Sequence, residues 1–146
     1  MCLLPKIDDS FLDDDIEDEL EEIEEEEEVE PSYTYAMNYD NKRIVGKCDK
    51  LEAVRQAIFK MLSTERYECP LYSWDYGVEL KDLFGMPKNY CVAEIERQFT
   101  EALLIDDRIT DVHSFSFSFP DKSTIAVSFS VNTIYGDTQI EREVSV

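Results

Sequence analysis

"HSFSFSFPDKSTIAVSFSVNTIYGDTQIEREVSV", residues 113–146, decides the fold. Phe115, Phe117 and Phe119 alternate with Ser114, Ser116 and Ser118, a period of two that gives a strand one apolar face. After the turn Pro-Asp-Lys-Ser, Ile125, Val127, Phe129 and Val131 repeat that pattern. Gly136–Asp137 then reverses the chain into "TQIEREVSV", where Ile140, Val144 and Val146 share a face with Thr138 and Arg142. Three such runs joined by short turns predict a three-stranded antiparallel meander whose greasy side needs a cover.

Two upstream segments supply it. Leu51, Val54, Ile58, Met61 and Leu62 line one face of a helix from Asp49 to about Ser63, with Glu52, Arg55 and Lys60 on the other face. After Pro87, Val92, Ile95, Phe99, Ala102 and Leu103 mark a second amphipathic helix ending near Asp106. Residues 32–50 read as linker, strand and turn, with Tyr33, Tyr35, Ile44 and Val45 favouring strand. The expected class is α+β: two helices packed on a small antiparallel sheet with the C-terminal meander, preceded by an acidic arm that is helical or extended. The boundary falls at residues 1–32 for the arm and 33–146 for the domain.

The arm holds most of the charge. The chain of 146 residues carries a formal net charge of −20, of which residues 1–30 contribute 16 acids against one base, Lys6. Within it Leu12, Ile16, Leu20 and Ile23 recur at helical spacing, and Ser10 with Asp13 resembles a capping box. Glu24 to Glu28 repel one another, so the segment is expected to complete its helix only against a partner. The remaining body is mildly acidic and has no basic stripe, which excludes a nucleic-acid footprint. No apolar run approaches the roughly 18 residues of a membrane helix, so a soluble protein without membrane contact is expected.

Cys2, Cys48, Cys69 and Cys91 are far apart and the single histidine, His113, begins a strand, so neither a metal site nor a Cys/His nucleophile is expected. The thiols read as reduced and intracellular. Gly77, Gly85 and Gly136 are isolated and cradle no phosphate, and no cofactor is expected. Glu65, Glu68, Asp75, Glu79 and Asp82 surround an aromatic stretch, "CPLYSWDYGVELKDLFGMP" at 69–87, and two positioned carboxylates are what a glycan hydrolase requires. In a chain this acidic such neighbours arise without purpose. The stretch reads instead as a structural clamp in which Trp74 and its tyrosine neighbours bury ring area worth about 2 kcal/mol each. On that reading Trp74→Ala costs about 3 kcal/mol.

"ERYECPLYSWDYGVELKDLFG", "ALLIDDRITDV" and "VNTIYGDTQIEREVSV" together resemble the baseplate wedge family of contractile phage tails, the GPW-type wedge proteins, and within it the XkdS-like branch of Gram-positive myophages, defective prophages and phage-tail-like bacteriocins. The resemblance covers residues 33–146, is specific at Trp74, Asp75, Tyr76 and Gly77 and around Asp107 and Arg108, and leaves out the acidic arm. It implies a non-enzymatic sheath initiator in a tail baseplate, present in several copies of a six-fold assembly put together in the bacterial cytoplasm. It implies baseplate wedge proteins and the sheath protein as partners, with tube or hub proteins as further candidates. The alternative is a peptidoglycan-cleaving, lysozyme-like tail enzyme, because a T-even relative long carried that label. The wider family has Glu-Pro-Arg where this chain has Asp106, Asp107 and Arg108, and only the arginine is kept. Two surfaces are expected to work: the stripe Leu12, Ile16, Leu20 and Ile23 against a wedge protein, and the last strand, Asp137, Thr138, Gln139, Ile140, Glu141, Arg142, Glu143, Val144, Ser145 and Val146, against the sheath.

Overall fold

A computed structural model describes residues 31–146. The arm's stripe, Leu12, Ile16, Leu20 and Ile23, lies outside the described residues. In chain order the elements are β1 (Thr34–Asn38), β2 (Arg43–Cys48), α1 (Lys50–Ser63), a 3-10 turn (Lys81–Leu83), α2 (Lys88–Leu103), β3 (Ile109–Asp121), β4 (Thr124–Thr133) and β5 (Gly136–Ser145). β1 and β2 form a two-stranded antiparallel ribbon, and β3, β4 and β5 form the meander in that spatial order.

The helices cover the meander. From α1 the side chains in the shared core are Val54, Ile58, Met61 and Leu62; from α2 they are Cys91, Ile95, Phe99, Ala102 and Leu103. They meet Ile125, Val127, Phe129 and Val131, the inward row of β4, where Phe99 and Phe129 pack edge to face at 5.7 Å. Asp49 caps α1 by accepting the Lys50 N–H and also accepts the Ser32 hydroxyl, which ties the linker to the helix start.

Two details depart from the expectation. β3 begins at Ile109 rather than at His113, and its inward residues Ile109, Val112, Phe115 and Phe117 do not share one parity. Register shifts between Ile109 and Asp111 and between His113 and Ser116, the second with Ser114 at φ 58°, reconcile them. Phe119, expected on the greasy face, is exposed, with the Lys88 ammonium 4.8 Å above its ring. The ribbon, for its part, is held by a side chain. Gln56, the polar member of the buried face of α1, accepts the Met37 N–H and donates to the Tyr35 carbonyl, each at 2.8 Å, so its carboxamide takes the place of a neighbouring strand. A two-stranded ribbon alone is marginal.

Candidate functional site

β5 is an edge strand, and the direction of its backbone groups can be read from its end. The Val146 N–H donates to the Ser123 carbonyl at 2.9 Å, so the even-numbered residues of β5 face β4 in an unbroken ladder. Asp137, Gln139, Glu141, Glu143 and Ser145 therefore aim their N–H and C=O groups outward. Their side chains stand on the sheet face away from the helices, while Thr138, Ile140, Arg142, Val144 and Val146 turn toward α1 and α2.

The edge opens into a groove of about 700 Å³. Residues Gln139 to Glu143 form one wall; Ala36, Met37 and Tyr39 of the ribbon and Glu52, Gln56 and Phe59 of α1 form the other. Arg142 enters it half-buried. Its Nη1 donates to the Ser63 hydroxyl at 3.1 Å, its Cζ lies 5.6 Å over the Phe59 ring, and burial lowers its affinity for its proton.

The aromatic stretch divides into two parts. Gly77 and Val78 are the clamp: Val78 exchanges backbone hydrogen bonds with Thr64 and Arg66 at 3.0 Å, and Arg66 donates twice to the Gly77 carbonyl at 3.1 and 3.3 Å. Val78 and Leu83 are 1% exposed and belong to the core, and Tyr76 packs against it while stacking on Tyr72 at 4.2 Å. Trp74 is 75% exposed. The expectation that Trp74 is a buried clamp residue is thus corrected: the backbone around Gly77 and the aliphatic neighbours fasten the loop, and the indole stands clear of them. Trp74→Ala is accordingly expected to change unfolding free energy by less than about 0.5 kcal/mol, checked by denaturant melts. A loss near 3 kcal/mol would restore the buried reading.

Arg108 is buried, 8% exposed, and its carboxylate partner is Asp106. The Asp106 oxygens accept from the Arg108 backbone N–H at 3.0 Å, from Nε at 2.8 Å and from Nη2 at 2.6 Å. Asp107, the acid singled out from sequence, is exposed. The turn following α2 selects between two identical neighbours, and Asp106 is the one whose carboxylate meets Arg108, two residues further on. Burial acts to raise the Asp106 carboxyl, but the side-chain and backbone hydrogen bonds from Arg108 outweigh it and hold it below the ordinary carboxylate range. The pair's contribution is therefore full above the unfolded carboxyl pKa, about 3.9, and is lost as the pH falls below that through the lower folded value. Asp106→Asn is expected to cost about 3 kcal/mol at neutral pH and to flatten the acid limb of the stability profile, while Asp107→Asn leaves both unchanged. Equal effects of the two would remove the assignment.

Of the five carboxyls around the loop, two are engaged by Lys81. Glu68 pairs with the Lys81 ammonium, and Glu65 accepts the Lys81 N–H at 3.2 Å. Asp49, Glu94 and Asp106 are the described carboxyls with displaced ionisation, and all three are displaced downward. Cys48 and Cys91 are buried and, like Cys69, form no disulfide. Among the described residues no three His, Cys, Asp or Glu side chains cluster as metal ligands, and no helix is long and apolar enough to cross a membrane.

Comparison with known proteins adds three findings. The family of contractile injection system sheath initiators matches residues 33–136. The phage-like element PBSX protein XkdS of Bacillus subtilis (strain 168) is 40% identical over 128 residues, spanning 84% of this chain and 90% of its own. A solved structure from Geobacter sulfurreducens, described provisionally as a tail lysozyme, aligns with a TM-score of 0.55 at 19% identity over 65% of this chain and 89% of the other. At that identity the likeness speaks for the fold alone.

Proposed function

Because the chain belongs to the sheath-initiator family of contractile injection systems and is a structural component of a phage-type tail, we propose that it links the baseplate to the first ring of sheath through the outer edge of β5. The observation that carries this reading is the edge itself: Asp137, Gln139, Glu141, Glu143 and Ser145 offer a row of outward backbone donors and acceptors along a groove. A strand from a sheath subunit would add to it by β-augmentation. Glu141 and Glu143 would discourage pairing with the wrong chain until that strand arrives.

At the other end, the arm of residues 1–32 would dock on a wedge protein through Leu12, Ile16, Leu20 and Ile23, with a basic partner surface relieving the repulsion of Glu24 to Glu28. The Ser32 hydroxyl donates to Asp49, which ties the chain at the end of the proposed arm to the start of α1. Several copies per six-fold baseplate, assembled in the bacterial cytoplasm, complete the reading. A non-enzymatic role is supported by the match to the sheath-initiator family. A glycosidase needs two positioned carboxylates, and beside the loop Glu68 pairs with the Lys81 ammonium while Glu65 accepts the Lys81 N–H.

Particles assembled without this protein are expected to carry bare tubes, and the purified chain to leave peptidoglycan intact. Deleting residues 1–30 is expected to preserve the folded body while weakening incorporation into baseplates, more so at high salt. Normal sheaths in its absence, or hydrolysis abolished by Asp75→Asn or Glu68→Gln, would overturn the proposal.

A further inference from the structure

Among the described residues, Arg142 lacks the carboxylate partner that its setting calls for. Its guanidinium is partly desolvated, its Nε is buried with no acceptor, and its Nη1 meets a neutral hydroxyl. Glu141 and Glu143, its chain neighbours, point to the opposite sheet face. Elsewhere in the described chain, buried or clustered arginines meet carboxylates: Arg108 with Asp106, Arg97 with Glu94 and Glu101, and Arg66 with Glu101. Arg142 has no such ion pair among the described residues, and it lines the groove beside the open edge.

We infer that Arg142 is the anion receptor of this edge: the strand that adds to β5 carries an Asp or Glu opposite Arg142, on the face turned toward α1. The inference rests on the β5-edge reading of the function. A residue directly opposite on an added strand points to the same face, with Cβ atoms roughly 5 Å apart. Its side chain therefore enters the groove beside Phe59 and the guanidinium. Closing the groove removes water from the pair, and a charge-assisted hydrogen bond in that setting is strong. On the other face the same strand meets Glu141 and Glu143, where a second acid would be repelled and a base or neutral residue is favoured. The two faces together set register. A slip by one residue would turn the strand's acid toward Glu141 or Glu143 and leave Arg142 opposite the wrong side chain.

The test uses the full chain, its baseplate and the cognate sheath protein, scoring the amount of sheath bound per baseplate. Arg142→Gln is expected to weaken sheath docking about tenfold or more, the scale for truncating one partner of a buried charge pair. The melting temperature of the free chain should stay within a few degrees of wild type, since the cation pairs with no carboxylate among the described residues. Arg142→Glu should abolish docking, and a Lys in place of the acid on the sheath strand should restore it. If Arg142→Gln fails to fold, Arg142→Lys decides: it should dock wild-type sheath, but not sheath whose strand acid is replaced by its amide. Wild-type docking by Arg142→Gln while Glu141→Pro abolishes docking would sink the inference and leave the edge reading standing. Normal docking by Glu141→Pro would remove the edge reading and this inference with it. Improved docking on Arg142→Gln would mean that the chain's own acidic residues 8–28 occupy the receptor, and would overturn the inference.

Discussion

Gly77→Ala is expected to destabilise the domain by about 3 kcal/mol or more, the largest effect of an alanine at any of the four glycines. A Cβ at residue 77 would lie 2.5 Å from the Thr64 carbonyl oxygen and 3.3 Å from the Arg66 nitrogen. Both obstacles are backbone, so neither can rotate away. The same Thr64 oxygen accepts the Val78 N–H, and φ at Gly77 is 96°, where an L side chain is strained. Relieving the clash by moving residues 76–78 would pull Val78 from the core and loosen Leu83 behind it. Gly46 and Gly85 provide the control. Their φ angles are 72° and 79°, but nothing lies within 4 Å of an added Cβ, so alanine there should cost only the conformational strain, about 1 kcal/mol. For a domain of this size 3 kcal/mol corresponds to roughly 10–15 °C in melting temperature. If Gly77→Ala melts no lower than Gly85→Ala, the backbone bridge does not hold the aromatic loop.

The helices were the legible part of this fold because helical burial repeats in the side chains themselves. Leu51, Val54, Ile58, Met61 and Leu62 place α1 to within a residue at each end, and the stripe from Val92 to Leu103 does nearly as well for α2. β4 was legible for a similar reason, since every second residue from Ile125 to Val131 is fully buried. β3 looked equally regular, but its bulges leave no mark in an unbroken Ser/Phe alternation. The ribbon was harder still, because Arg43 to Lys47 are all exposed and carry propensity without period. Gln56 was the available signal there: a carboxamide in the middle of an apolar stripe needs a partner, and backbone amides of a neighbouring strand satisfy it. Trp74 misled by composition. Aromatic residues crowd together in sequence around Gly77, yet which rings turn inward depends on the loop's path, and that path is set by backbone hydrogen bonds to Thr64 and Arg66. Asp106 and Asp107 differ only in their position on the turn, which no composition or spacing reveals. Arg142 could be placed on the inward face by parity, but that it meets no carboxylate among the described residues depends on what α1 presents to it, namely Ser63 and Phe59.

Proline at Glu141 or at Glu143 is expected to leave the domain folded and to block sheath assembly on the baseplate. Both residues have outward N–H groups by the parity that Val146 fixes, so removing either donor breaks no bond to β4. Both side chains are exposed, so nothing in the core is lost. The cost to folding is the narrowing of φ toward −65°, which an edge strand tolerates. An incoming strand would lose a hydrogen bond and would meet the pyrrolidine ring where its own carbonyl must sit, so docking should fall by at least about tenfold. Arg142→Pro makes the contrast within one residue: its N–H faces β4, so the change removes an internal ladder bond and should unfold the sheet rather than merely disarm it. Measured side by side, melting temperature and sheathed fraction should therefore separate, with Glu141→Pro and Glu143→Pro stable but bare and Arg142→Pro unstable. Full sheaths on baseplates bearing either glutamate variant would show that subunits dock elsewhere, and the exposed Trp74 surface would be the next place to cut.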